Sequence, residues 1–480
     1  MIAETTTNRT ATAFAAVRHL GLVLLVLGCG CQTYTEGNRS AAGAWLRGDV
    51  SGAASQYAAA AERAKSRDDV IWRLEEGAAW RAAGEFQKSN GALAKAEARV
   101  DEFERRAKVS LSNEAAALLS NQAQLPYEGR IYDKVMLNTY RALNFLQQRN
   151  TAAARVEFNR VLRRQEDALT VKRKRIAREQ ADLEARKQQE PQAARMAADT
   201  GVQRRLDSLY GFLDQYRAEA NYRNPAAVYL RGLFFSTHAT GPADLEIARH
   251  AFREAMGMIG DDATLRVELQ RIEARFSGQE LKPRVHVVFE TGRAPVRDQE
   301  RIDLPLFAAG VGDGNVPYVG ASFPVLRPQY DYLSALNVTA GGQVAQTRML
   351  ADMDAIIGKE FADELPGVIA KTLLSSAAKG AVSYAVNRSA RKKDDFGGFL
   401  AQLATTVYQA AANIADTRTW TTLPKQIQFA AVELPADRKV RLSGGNVNSE
   451  IIIQPGNEIL LYVKSISPHA PLLVTQTTLK

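Results

Sequence analysis

Residues Pro126–Val161 read PYEGRIYDKVMLNTYRALNFLQQRNTAAARVEFNRV, and their pattern sets the expectation for half of the chain. Apolar residues recur at three- and four-residue spacing on both sides of Gln148-Arg149-Asn150, so the stretch predicts helix, turn and helix. Ala142 and Phe145 fall in the first helix; Ala154, Phe158 and Val161 fall in the second. The frame recurs along the chain. Gly48-Asp49 precedes Ala53, Tyr57 and Ala60, while Gly84-Glu85 lies between Gly77 and Trp80 on one side and Ser89, Leu93 and Ala96 on the other. Ala248, Phe252 and Ala255 follow Gly241-Pro242 in the same way. Small residues let paired helices approach closely, and each large one fills the gap between one hairpin and the next.

Gly48 and Gly84 are 36 residues apart, close to the roughly 34-residue tetratricopeptide period that the pattern resembles. A TPR-like helical domain over 41–278 is therefore expected. Two interruptions stand out. From Asp101 to Gln124 the repeat gives way to polar helix, and Leu125-Pro126-Tyr127-Glu128-Gly129 predicts a loop before Ile131. Either Tyr127 packs the end of a helix, or the loop presents Tyr127, Glu128 and Arg130 to a partner. After Val161 a narrow apolar line, Leu162, Leu169, Ile176 and Leu183, runs along a charged helix to about Glu190-Pro191. A returning helix from Gln203 to Ala220 would complete a projecting hairpin over about 162–220. Lys172, Arg173, Lys174 and Arg175 on that rod form either a solvated face or a contact for anionic lipid or glycan.

At Gly278 the composition changes, and Lys282-Pro283 ends the helical half. Val285, Val287 and Phe289 alternate with His286, Val288 and Glu290 as in a strand. Further strands are expected at Ile302–Leu306, with Pro305 marking an edge, and at Val316–Leu326, Ile427–Leu434, Val440–Leu442, Glu450–Ile453 and Ile459–Val463, with a turn at Gln454-Pro455-Gly456-Asn457. A helical block at Met349–Tyr384 and Phe399–Ala415, about 349–416 in all, is inserted; it either packs on the sheet or docks a partner or membrane surface. The expected fold class is thus α+β and multi-domain, with a sandwich-like β-rich domain over 283–480.

Arg9, Arg18 and His19 precede the apolar run Leu20–Leu27, far shorter than the roughly 20 residues that span a bilayer. Val26-Leu27-Gly28-Cys29 resembles the bacterial lipoprotein box, so residues 1–28 are read as a signal peptide, Cys29 as the lipidated residue and 29–40 as a tether. Cys31 is the alternative, but no aliphatic residue stands at the expected place before it. Each buried CH2 of an acyl chain contributes about 0.8 kcal/mol, so several chains give stable attachment. Gly30 after the cysteine, rather than Asp, implies by resemblance to enterobacterial sorting rules the outer membrane, with the protein facing the periplasm.

The net charge of +9 is modest for 480 residues. No basic motif interleaved with aromatics accompanies it, so nucleic acid is not an expected partner. No H-E-x-x-H or C-x-x-C occurs, and His238, His250, His286 and His469 are scattered. Gly310–Gly314 departs from both phosphate-loop patterns, and Gly320-Ala321-Ser322-Phe323-Pro324 lacks the second glycine of a nucleophile elbow. Asp352 and Asp354 suit a helix start without any metal. No cofactor, metal site or catalytic set is expected. Trp420, with Arg418 and Leu423-Pro424, is read as closing a β-core.

The lipoprotein box, the repeats, Pro126-Tyr127-Glu128-Gly129 with Ala142-Leu143-Asn144-Phe145, and Ala415-Asp416-Thr417-Arg418-Thr419-Trp420-Thr421-Thr422-Leu423-Pro424 together resemble an uncharacterised family of Gram-negative tetratricopeptide-containing lipoproteins. The resemblance implies a compartment and an architecture, and no catalytic residues. It implies a non-enzymatic scaffold in envelope assembly, cell-wall synthesis or export, bound to the membrane by its lipid and to an unidentified envelope protein. Two other readings stay open: binding of cell-wall glycan or lipopolysaccharide, and an enzyme whose site is dispersed along the chain.

Overall fold

A computed structural model describes residues 34–109, 122–189, 191–217, 222–305, 318–390 and 414–480. Residues 1–28, Cys29, Cys31, the glycine-rich loop at 310–314 and residues 399–413, expected as the second part of the helical insertion, lie outside them; of the expected tether only 29–33 do, and 34–40 belong to a helix that continues to Leu46. The described residues from Ser40 to Lys480 make one compact unit. The architecture is α+β, helical in its first part and sheet-rich in its second.

Three helical hairpins stand where the repeated frame places them: α3 (Asp69–Ala82) with α4 (Phe86–Val109), α5 (Ile131–Gln147) with α6 (Thr151–Gln189), and α10 (Pro225–Thr237) with α11 (Pro242–Ile259). Before them come α1 (Tyr34–Leu46) and α2 (Val50–Arg63). Leu93, Ala96, Ala154, Phe158, Val161, Ala248, Phe252 and Ala255 are all fully buried. In the first copy the expected Ala60 is only half-buried, and Ala61 takes the core position. Glycine is required on the facing helices: a Cβ on Gly77 would come within 2.5 Å of Leu93, and one on Gly232 within 2.8 Å of Phe252.

The turns share one backbone design. At 48–49, 84–85 and 149–150 the first amide bonds the carbonyl three residues back and the second bonds the carbonyl five back, as in Gly48→Trp45 (2.9 Å) with Asp49→Ala44 (3.0 Å), and Arg149→Leu146 (3.0 Å) with Asn150→Phe145 (2.8 Å). This closure satisfies the orphan carbonyls of the outgoing helix and needs a left-handed residue. Gly48 (φ 80°) and Gly84 (φ 79°) meet that need freely, but Arg149 (φ 57°) bears a Cβ penalty there. Arg149→Gly is accordingly expected to stabilise the protein by about 0.5–1 kcal/mol. The check is the urea midpoint at unchanged slope; a lower midpoint would contradict it.

The projecting hairpin needs correction. α6 does run to Gln189, but the return is broken into α7 (Pro191–Ala198), α8 (Thr200–Tyr210), a 3-10 turn and α9 (Asp214–Arg217). The returning segments serve the second half: Tyr210 Oη donates to the Pro324 carbonyl at 2.8 Å, and its ring lies 6.3 Å from that of Phe361. α12 (Ala263–Phe276) closes the helical part.

Among the described residues the β part holds three sheets. β11 (Leu473–Thr478), β10 (Glu458–Ser465), β1 (Arg284–Thr291), β7 (Gln426–Glu433) and β6 (Arg348–Asp352) form a five-stranded sheet in that order, with β1 and β10 parallel. β5 (Gln343–Gln346), β4 (Asn337–Ala340), β8 (Lys439–Gly444) and β9 (Val447–Ile452) form an antiparallel sheet of four, and β2 (Val296–Pro305) pairs with β3 (Tyr318–Arg327) alone. Val285, Val287 and Phe289 join Val338, Val440, Leu442, Ile459, Leu461 and Val463 in one core between the two larger sheets. The alternate residues of β1 are buried as well, because helices cover that other face. Residues 348–352, expected in part as helix, are strand β6; the inserted helix is α13 (Met353–Ala390), a single run with Pro366 inside it.

Candidate functional site

The loop before α5 turns inward. Tyr127 is 3% exposed; its amide donates to the Arg67 carbonyl at 2.8 Å and its hydroxyl to Asp133 at 2.5 Å. Asp133 also accepts the Arg130 amide at 2.8 Å, a carboxylate capping the start of its own helix. The guanidinium groups of Arg130 and Arg418 each lie 5.5 Å from the centre of the Tyr127 ring. Arg130 pairs with Glu364 of α13 at 2.7 Å, and Glu360 accepts the Ile131 amide at 3.1 Å. Arg418 bonds Asp416 (2.7 Å), Asp68 (3.0 Å) and the Leu125 carbonyl (2.9 Å). Tyr127 and Arg130 therefore do not form an exposed binding loop, as one sequence reading had it. They are an internal joint between the helical part, α13 and the segment 416–420, and Glu128 beside them is half-buried.

Burial raises the Asp133 carboxyl from 3.8 to about 6, against its bonds from Tyr127 and Arg130. Between those values the folded protein binds the extra proton, so ionisation of Asp133 weakens the fold as pH rises through that window. A displacement from 3.8 to about 6 corresponds to about 3 kcal/mol. Asp133→Asn should thus gain about that much relative to the wild type between pH 4 and pH 7, measured by urea unfolding at both pH values. A pH-independent difference would contradict this origin.

A second polar cluster lies under the five-stranded sheet. Glu290 accepts from Tyr140 (2.8 Å), Tyr462 (2.6 Å) and Lys464 (2.6 Å), and Arg81 stacks 4.6 Å from the Tyr462 ring. Burial opposes the Glu290 charge, yet Lys464 and these hydrogen bonds hold its carboxyl below the ordinary value. Glu75 accepts the amides and hydroxyls of Thr421 and Thr422, while the fully buried Trp420 meets Tyr140 edge-on at 5.8 Å. The sequence reading of Trp420 as a core-closing residue agrees with this placement. His286 bonds Glu458 at 2.9 Å, next to Arg275. The Glu290 cluster joins helices to strands, and the Tyr127 cluster joins helices to one another and to the segment 416–420.

An open cleft of about 380 Å³ lies between α6, α10 and α11, walled by Leu162, Glu166, Ile247 and His250. Arg223 and Glu254 pair at one side, and Arg249 holds Glu246 at 2.6 Å. Arg231 lines the same cleft with its guanidinium 5.0 Å from the Phe235 ring. Sequence reasoning missed it, since its walls come from residues 162–254 and share no local motif. Lys172–Arg175 sit further along α6, where the helix is described and their side chains are not. Cys29 lies outside the described residues. Among those residues no group of three or more His, Cys, Asp or Glu is placed to hold a metal ion, and no helix is long and apolar enough to cross a membrane.

The molecule is thus an α+β protein of helical hairpins laid on a mixed sheet. Comparison with known protein families, with characterised proteins and with solved structures returned no significant match.

Proposed function

We propose that this chain is an outer-membrane lipoprotein, attached through Cys29 and facing the periplasm, that acts as a protein–protein interaction scaffold in envelope assembly, cell-wall synthesis or export. The leader and the Val26–Cys29 box support the anchor. Helical hairpins side by side offer grooves of the kind that take peptide segments. The observation that carries the scaffold reading is the open α6–α10–α11 cleft, in a body whose two large polar clusters are spent on internal joints.

Cys29→Ala is expected to release the mature protein from membranes and to abolish acyl labelling. Labelling that persists would assign the lipid to Cys31. For the scaffold itself, in-cell crosslinking of the full chain should capture a specific envelope protein. Recovery of abundant neighbours alone would count against it.

A further inference from the structure

We propose that the α6–α10–α11 cleft is a carboxylate pocket, in which Arg231 receives a peptide carboxylate from a partner. The inference deepens the scaffold reading and rests on it. Arg231 is only 8% exposed, and no hydrogen bond or ion pair engages its guanidinium among the described residues; its Nε is buried without a partner. A guanidinium taken from water without a counter-ion is costly, whereas one met by a bidentate carboxylate is strongly held. Stacking on Phe235 fixes the plane of the fork and leaves its edge for such a contact.

The charges around it define the occupant. Glu254 is bound by Arg223 and Glu246 by Arg249, so these carboxylates are already neutralised. Glu166, exposed at the cleft, carries no ion pair among the described residues. Burial draws the Arg231 pKa down, with Glu254 and Glu166 opposing. With Glu246 and Glu254 held by their own arginines, Arg231 faces, among the described residues, only the exposed Glu166 as an unpaired charge, a balance that suits a single added negative charge and disfavours a doubly charged phosphate or a polyanion. Leu162 and Ile247 supply apolar wall for the methylene stem or the residue next to the carboxylate. About 380 Å³ accommodates one or two residues of an extended segment.

The test uses the mature full chain and three labelled peptides of otherwise neutral sequence: one with a central Glu and an amidated end, one with Gln and a free end, one with Gln and an amidated end. At least one of the first two should bind and the third should not; the one that binds identifies the source of the carboxylate. Arg231→Gln should weaken binding at least about tenfold, with its thermal unfolding transition retained. Glu166→Lys, at an exposed site, should strengthen binding severalfold and guards against an Arg231 variant that fails to fold. The inference is overturned if the neutral peptide binds equally, if folded Arg231→Gln binds like the wild type, if Glu166→Lys changes nothing, or if inorganic phosphate competes as well as the Glu peptide. Crosslinking in cells separates the two levels: a partner captured equally by Arg231→Gln leaves the scaffold standing and removes the pocket.

Discussion

Glu290→Gln is expected to destabilise the protein by about 3–5 kcal/mol, because it leaves Lys464 as a buried cation without its counter-ion. Glu290 is 1% exposed and Lys464 is 8% exposed. The amide oxygen that Glu290→Gln introduces carries no charge to balance the ammonium, and the Thr422 carbonyl at 3.4 Å is too far to replace a charge-assisted contact of 2.6 Å. Lys464→Met should cost a similar amount by stranding the carboxylate. The double variant should recover most of the loss, since removing a buried pair together is far cheaper than removing either half. Urea unfolding of the four proteins closes the cycle. The Glu290 carboxyl lies below its ordinary value, so its contribution is present above about pH 4.5 and fades as pH falls through the folded pKa. Single variants that each cost under about 1 kcal/mol would show that the pair is not what joins helices to sheet.

Arg418→Met should have an effect of the same size, about 3–5 kcal/mol, through Asp416. Burial opposes charge on Asp416, and Arg418, with Arg130 and Arg297 further off, holds its carboxyl below 3.8. Without Arg418 that carboxylate loses its bond of 2.7 Å, and the Leu125 carbonyl loses a donor at 2.9 Å. The loss should be largest above pH 4 and shrink in acid, where protonation of Asp416 removes the wild type's advantage. Hydrogen exchange should locate the damage: amides at Tyr127 and Ile131, bonded to Arg67 and Glu360, should exchange faster while those of β1 stay protected at low denaturant. Uniform loss of protection would contradict a local joint.

The parts legible in the sequence were those written in short-range spacing. Gly84, Leu93 and Phe158 announce hairpins because helix pairing acts over one turn and two helices, and Val285, Val287 and Phe289 announce a strand because its period is two. Distance in sequence hid the rest. Glu290 meets Lys464 across 174 residues through a parallel pairing, and Arg130 meets Glu364 across 234. Local spacing therefore left two readings of the loop at Tyr127, packed or presented, and the distant partners Arg67, Glu364 and Arg418 make it a joint. β4 and β5 have four residues each around Gly341-Gly342, too few for an alternation to register. β11 was also missed, its LVTQTT lacking strong alternation. The Arg231 cleft is built by three helices, and nothing in α10 alone, apolar almost throughout, marks that arginine as different.

Site-specific photo-crosslinking in intact cells tests the central claim most directly. A photoreactive residue at Ile247, in the cleft, should capture a discrete envelope protein, while one at Val344, 66% exposed on the far sheet, should not. Capture of the same mixture from both positions, or of nothing from Ile247, would contradict a scaffold that works through the helical cleft.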